Sequence, residues 1–312
     1  MRAPCPQTDK LLPAGMLVFE RGWLSSNNIL FLGTESNVIV DSGYATHAEQ
    51  TVDLLDAALQ GRPLDILLNT HLHSDHCGGN SALQAVYPEL DTLIPPGQAH
   101  LVSAWDPVAL TYVPTGQLCP QFEFTGLLKP GGEIELADKS WQIHAAPGHD
   151  PHSAILFEPQ SRTLISADAL WESGFGVVFP ELEGGSAFDE VAATLDLIER
   201  LAPRTVIPGH GAVFGYRPQV LASARQRLNA FVSNPSRHAH HAAKVLLKFK
   251  LLEQQQLLFA DFLEWARRTS YFQQIRAMFF ASIPFDDWVA HLTAELERSA
   301  VARRDEDLIL NA

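Results

Sequence analysis

Basic charge is scarce in this chain. Its 312 residues carry 22 Lys and Arg against 36 Asp and Glu, a formal net charge of −14. A surface of that sign repels a phosphate backbone, so no nucleic-acid partner is expected. Cysteine is scarce as well. Cys5, Cys77 and Cys119 are too few, and odd in number, to form a disulfide framework. Met1-Arg2-Ala3-Pro4-Cys5 lacks the apolar core of a secretory signal, and no hydrophobic run approaches bilayer-spanning length. The expectation is a cytoplasmic protein with no membrane partner. Internal repeats and low-complexity segments are missing too. At 46% hydrophobic and 19% charged residues, the composition is that of an ordinary globular protein. Its length suits one large domain, or a large plus a small one.

Histidine is present in quantity, and its placement is uneven. His71-Leu72-His73-Ser74-Asp75-His76 puts four metal-ligand candidates within six residues, after the apolar Ile66-Leu67-Leu68 and before Cys77-Gly78-Gly79. A strand over 65–70 that continued through the cluster would point His71 and His73 to one side. A turn would then let Asp75 and His76 face the same space. Three imidazoles and a carboxylate suit a borderline divalent ion such as zinc.

In chain order, Met16–Glu20, Ile29–Leu32 and Asn37–Asp41 read as strands. Thr46 and Glu49 match a capping box for a helix striped by Val52, Leu55, Ala58 and Leu59 and stopped at Gly61. Residues 80–87 suit a short helix, and Thr92–Ile94 a strand. Residues 100–130, weakly periodic with Trp105 and Tyr112, are either a substrate-covering segment or a surface excursion. Strand patterns return at Glu133–Leu136, Trp141–Ala145, Ala154–Phe157, Thr163–Ser166 and Thr205–Ile207. Ser186 is placed to cap a helix striped by Phe188, Val191, Leu195 and Ile198. From about residue 216 the pattern is helical only, so 1–215 reads as one domain and 216–312 as a helical appendage to it.

Four places share one grammar: an apolar strand ends, a small residue follows, and a His or Asp is presented. They are 71–76, His149, Asp168 and His210. Together they offer His71, His73, Asp75, His76, His149, Asp168 and His210. Seven N/O ligands exceed one tetrahedral site and suit two adjacent ions sharing a carboxylate.

These motifs, H-x-H-x-D-H, G-H149, Asp168 and P-G-H210, with Asp41-Ser42-Gly43 on an early strand, resemble the metallo-β-lactamase superfamily over roughly residues 15–215. The resemblance implies an α/β (α+β) fold, a four-layer αβ/βα sandwich with a binuclear site at one edge. It assigns His71, His73 and His149 to a first ion, Asp75, His76 and His210 to a second, and Asp168 to both. Lactamases of the commonest class carry Cys where this chain has Asp168. Asp168 is similar instead to the glyoxalase II, thioesterase and lactonase branches.

The expected chemistry is hydrolysis of an ester-like bond by a metal-bridging hydroxide. Two divalent ions, zinc first and iron or manganese as alternatives, lower the pKa of water toward about 7. Asp75 is the catalytic candidate, as ligand and proton acceptor, and Asp41 is placed to orient a ligand imidazole. A thioester is the first substrate expectation and a lactone, such as an acyl-homoserine lactone, the second. A mono-iron sulfur dioxygenase, or a regulatory protein acting through its helical surface, are the alternatives from other classes. The expected partner is a small-molecule substrate, with a homodimer compatible with the chain. Cys77 reads as a buried turn residue, His144 as structural, and His152 as either a substrate contact or a loop histidine. His238, His240 and His241 read as a solvated helix face. Lys244, Lys248, Arg267 and Arg268 are either acceptors for an anionic substrate tail or exposed helix charges.

Overall fold

Short apolar, β-branched runs become strands wherever a partner strand can bury both their faces. The computed structural model describes residues 12–312; Met1–Cys5, read above for its lack of a leader, lies outside them. In order come β1 (Met16–Phe19), β2 (Asn28–Leu32), β3 (Asn37–Val40), α1 (Ala48–Leu59), β4 (Ile66–Leu68), α2 (Ser74–Cys77), α3 (Asn80–Val86) and β5 (Asp91–Ile94). Then follow α4 (Ala99–Ala104), α5 (Tyr112–Thr115), β6 (Gly126–Leu127), β7 (Glu133–Leu136), β8 (Lys139–Ala145), β9 (Ala154–Glu158) and β10 (Thr163–Ala167). After these come α6 (Phe188–Leu201), β11 (Thr205–Pro208), β12 (Phe214–Gly215) and α7 (Pro218–Ser233).

The strands form two six-stranded sheets. In the first, β1 to β6 lie in chain order, antiparallel from β1 to β3 and parallel from β3 to β6. The second runs β12-β11-β10-β9-β8-β7, with only β10 and β11 parallel. A parallel pair needs a crossover, and α6 supplies it.

Period-2 alternation then sorts the core. Val38 and Val40 of β3 point inward, against Leu156, Ile165 and Ile207 of the other sheet. Ile39, between them, points outward under Leu55 and Leu59 of α1 and Leu83 of α3. On the far side, Ile155, Leu164 and Val206 meet Val191, Leu195 and Ile198 of α6 and Leu221 of α7. Helix, sheet, sheet and helix make four layers, as the resemblance implies. Each such fully buried aliphatic side chain contributes roughly 1.5–3 kcal/mol.

Several local expectations are corrected. Residues 45–47 form a single 3-10 turn before α1, so Thr46 is not the cap, and the helix starts after His47 without a side-chain cap. At the other end Gln60, not Gly61, takes the first left-handed position. Ser186 does not cap α6; the Glu181 carboxylate accepts from the backbone N–H of Ala187 and Phe188 at 2.6 and 3.0 Å. A carboxylate from an earlier turn satisfies the orphan donors, which spacing could not foretell.

The segment after 216 is not purely helical. It contains α8 (Pro235–Gln254), β13 (Gln256–Leu258), α9 (Phe259–Arg268), α10 (Ser270–Phe279), α11 (Phe285–Arg298), β14 (Ala302–Asp305) and β15 (Leu308–Asn311). The three strands form a small sheet of order β13-β15-β14. β15 is only four residues long, and three helices separate it in sequence from its partner β13, so periodicity alone did not expose it. Leu246, Phe262, Phe272, Trp288 and Ile309 build this region's core and enclose Val177 and Leu182. No helix among the described residues is long and apolar enough to cross a membrane.

Candidate metal centre

The strand before the cluster ends at Leu68, so His71 and His73 stand on the loop leading into α2 and not on a strand. The loop nevertheless brings them together, with His71 Nε2 and His73 Nδ1 3.1 Å apart. His149, from the loop between β8 and β9, adds its Nε2 at 2.8 Å from His73 Nδ1. Its other nitrogen faces the Val177 carbonyl, which fixes Nε2 as the inward lone pair. Three imidazole nitrogens converge here at roughly the 3.3 Å edge of a tetrahedral nitrogen site.

A second corner is built from Asp75 and His76 of α2 and from His210, which follows β11. Asp75 Oδ2 lies 3.1 Å from His210 Nε2. His76 is fully buried, its Nδ1 held by Asp41 Oδ2 at 2.8 Å. Asp41 itself accepts from the Thr70 backbone and hydroxyl at 2.9 and 2.8 Å, so β3 and the post-β4 loop position that imidazole jointly. His76 Nε2 makes no hydrogen bond and faces Asp168 Oδ1 at 3.4 Å.

Asp168, after β10, stands between the corners. Its carboxylate is 3.4 Å from both His76 Nε2 and His149 Nε2 and 3.9 Å from His210 Nε2. Three ligand groups follow, each with donor atoms within 4.8 Å of one another: His71, His73 and His149; His71, His76 and Asp168; Asp75, His76 and His210. All seven residues expected from sequence are therefore brought to one place. Gly209 makes this possible, since a Cβ there would come within 2.2 Å of Asp168 Oδ1.

Electrostatics differ across the centre. Burial, then the neighbouring imidazoles, pushes His71 well below its usual value, and burial with His149 takes His73 down to about 4. Burial opposes charge on His76 as well, but Asp41 and Asp168 outweigh it and hold that imidazole well above its usual value. His210 is likewise raised: burial is overcome by Asp168 and Asp75. Asp168 is buried, yet His210 and His76 keep it ionised far below the usual carboxylate range. Asp75 is also lowered, burial being outweighed by His210 and His76.

The donor set fits metal ions. Converging imidazole lone pairs repel one another unless a cation or proton lies between them. The unpartnered His76 Nε2, buried in a polar setting, is an atom that a cation would satisfy. The lowered imidazoles His71 and His73 and an ionised shared carboxylate match borderline divalent ions.

A cavity of about 410 Å³ opens beside the centre. Trp23, Phe179, Leu246 and Phe249 line it together with His73, Asp75, His149, Asp168 and His210. Trp23 stacks on His210 with ring centroids 5.5 Å apart, and Trp171 donates to Asp168 Oδ1 at 3.2 Å. Sequence reasoning missed Trp23 and Trp171. The signal for Trp171 was its position three residues after Asp168, in the Gly-rich aromatic stretch 171–185; Trp23 had none. Within 100–130, Thr111, Thr115 and Gln117 reach the cavity wall.

The residues set aside fall elsewhere. Cys77 is buried in α2, its Sγ 3.2 Å from the Tyr112 hydroxyl and 3.8 Å from Cys119 Sγ. His144 lies on β8 beside Gln142. The ring of His152 packs on Gly97 and does not line the cavity. The histidines of α8 are not a solvated face. His238 is buried and accepts from Val178 N–H, His240 meets Glu295 at 2.9 Å, and His241 meets Arg227 at 2.7 Å. Lys248 is tied to the C-terminal strand through Asn311, while Arg267 and Arg268 pair with Glu264.

Comparison with known proteins agrees with this geometry. A family model described as the metallo-beta-lactamase superfamily matches residues 21–210. The chain is 26% identical over 218 residues to the acyl-coenzyme A thioesterase MBLAC2 of Homo sapiens, covering 63% of this chain and 77% of that protein. It is 33% identical over 119 residues to a hydroxyacylglutathione hydrolase of Francisella tularensis subsp. holarctica, covering 38% of each. A metallo-beta-lactamase family protein from Thermus thermophilus superposes with a TM-score of 0.55 at 18% identity, over 97% of this chain and all of that one.

Proposed function

The chain belongs to the metallo-beta-lactamase superfamily, and from that premise we propose that it is a metal-dependent thioesterase. The observation that carries the reading is Asp168, a buried carboxylate 3.4 Å from one imidazole of each corner. An oxygen-rich bridge between two imidazole corners suits a pair of divalent ions, zinc first, with iron or manganese as alternatives. Bound there, such ions would depress the pKa of water toward about 7 and polarise a substrate carbonyl.

The chain's own residues supply the rest. Trp23, Phe179, Leu246 and Phe249 give the cavity an apolar wall that takes an acyl chain and excludes water from the reacting carbonyl. His71, His73, His149, His76 and His210 hold the ligand geometry. Asp41 orients His76 through its Nδ1. Asp75, ionised and held by His210 at 3.1 Å, accepts the nucleophile's proton and keeps it within reach of the leaving group. A thiolate leaves more readily than an alkoxide, its conjugate acid having a pKa near about 8.5, so one mobile proton at Asp75 is enough. The relatives named above, a thioesterase and a hydrolase of hydroxyacylglutathione, support the same bond type.

The test is a panel on zinc-, iron- and manganese-loaded protein: an acyl thioester, an acyl-homoserine lactone, a phosphodiester and a persulfide, with oxygen uptake followed in parallel. The expected result is thioester cleavage at kcat/KM of about 10⁴ M⁻¹s⁻¹ or more, with weaker lactone cleavage and no oxygen consumption. Oxygen uptake by the iron form on a persulfide, without thioester cleavage, would replace this reading with a dioxygenase.

A further inference from the structure

Arg227 of α7 is the least explained charge in the molecule. It is half-buried, and its stem crosses Gly174, whose φ of +115° leaves the space; a Cβ there would lie 3.0 Å from Arg227 Cδ. The guanidinium sits over Phe175 and Phe231, 5.7 and 5.3 Å from the ring centroids. One terminal nitrogen donates to His241 Nε2 at 2.7 Å, and the buried Nε has no partner. Among the described residues no carboxylate pairs with it. A half-buried cation held by packing, without a counterion, in a chain of net charge −14, calls for an anion from outside.

Arg227 and His241 line two spaces at once. One is the metal-centre cavity. The other is an adjoining cleft of about 590 Å³ between α7 and α8, which Arg237, His240 and Lys244 also line. Arg237 likewise has no carboxylate partner among the described residues. Among the described residues, the acid that pairs with the cleft residues is Glu295, shared by Lys244 at 2.8 Å and His240 at 2.9 Å. The cleft is thus a cationic patch that shares Arg227 and His241 with the reaction cavity, on a protein of opposite overall sign. Such a patch focuses a multiply charged anion, and guanidinium forks match phosphate oxygens.

We propose that the α7–α8 cleft, through Arg227, Arg237 and Lys244, binds a phosphate-bearing tail on the thiol half of the substrate. This rests on the thioesterase reading and narrows it: the scissile carbonyl lies at the metal centre, the acyl chain against Trp23 and Phe249, and the thiol's phosphates in the cleft. Carboxylate-tailed thiols, such as glutathione, present fewer and weaker charges to the same cations.

The experiment uses the metal-loaded full chain with butyryl-coenzyme A, butyryl-pantetheine and S-butyryl-glutathione, and titrates free coenzyme A calorimetrically in parallel. Wild type should show a KM for butyryl-coenzyme A at least about tenfold below that for butyryl-pantetheine, the size of one charge-assisted hydrogen bond. Arg237→Ala, an exposed change with little risk to folding, should shrink that ratio about tenfold. It should also weaken coenzyme A binding about tenfold in the calorimeter. Arg227→Lys should retain part of the effect and Arg227→Ala less. Equal KM values for the two substrates, or an Arg237→Ala ratio like wild type, would overturn the cleft while leaving the thioesterase reading intact. A preference for S-butyryl-glutathione would overturn the phosphate assignment. No turnover of any thioester would overturn the thioesterase reading, and the calorimetric titration then decides the cleft alone.

Discussion

The two corners of the metal centre are built from similar residues and stand in opposite electrostatic states. In the first, three imidazoles crowd together, the nearest carboxylates stand back at 3.4 Å (Asp168 from His149) and 3.8 Å (Asp150 from His73), and burial pushes His71 and His73 down. In the second, each imidazole already has an acidic partner: His76 has Asp41, and His210 has Asp75. The first corner offers free lone pairs that want a cation. The second is satisfied by protons until a cation displaces them. Ligand count alone therefore does not describe the site; the acids around each imidazole decide how readily an ion enters.

The largest test of this contrast is Asp168, the group both corners share. Asp168→Ala should drop bound metal from two ions to one or fewer and lower thioester hydrolysis by about a thousandfold, several kcal/mol of lost charge stabilisation. Elemental analysis of the purified variant checks the first part; two retained ions would mean that Asp168 does not bridge.

Acidification should separate the corners. An imidazole whose pKa is raised holds its proton more tightly, so an ion entering the second corner must expel it, and affinity there falls as pH drops through the raised pKa values of His76 and His210. His73, down near about 4, offers no such competition until far lower pH. Metal release followed against pH should therefore show two steps, the second corner emptying first. A single step, or the reverse order on comparing His73→Ala with His210→Ala, would contradict the contrast.

The smallest expected effect is at Asp41. Its φ of +59° is one that Asn also accepts, so Asp41→Asn should fold normally. Losing the charge behind His76 should weaken the second ion about 10–100-fold and spare the first. Competition with a chelator of graded strength measures both constants.

Much of the centre was legible because its ligands follow strand ends marked by small residues, a local pattern that survives in sequence. His71 to His76, His149, Asp168 and His210 all converge, although the first pair reaches its place by a loop and not by strand alternation. Helix starts were less legible. Thr46 and Ser186 had the right side chains, but a 3-10 turn and the distant Glu181 took their roles. The strands β13 to β15 were hidden because each is three or four residues long and the pairing of β13 with β15 spans three intervening helices.

The sequence by itself determined which residues are the candidate metal ligands, because ligand chemistry is a property of side-chain type and local spacing. The layered sandwich was expected from the resemblance that these motifs carry, and the structure shows runs such as Asn37–Val40 buried on both faces. Only the tertiary structure decided the charge state of each corner, which depends on Asp41 and Asp168 arriving from other strands. It alone placed Trp23 on His210 and left Arg227 without a counterion beside the reaction cavity. Those are relations between segments up to about two hundred residues apart, and their energies arise from proximity and burial that no single segment encodes.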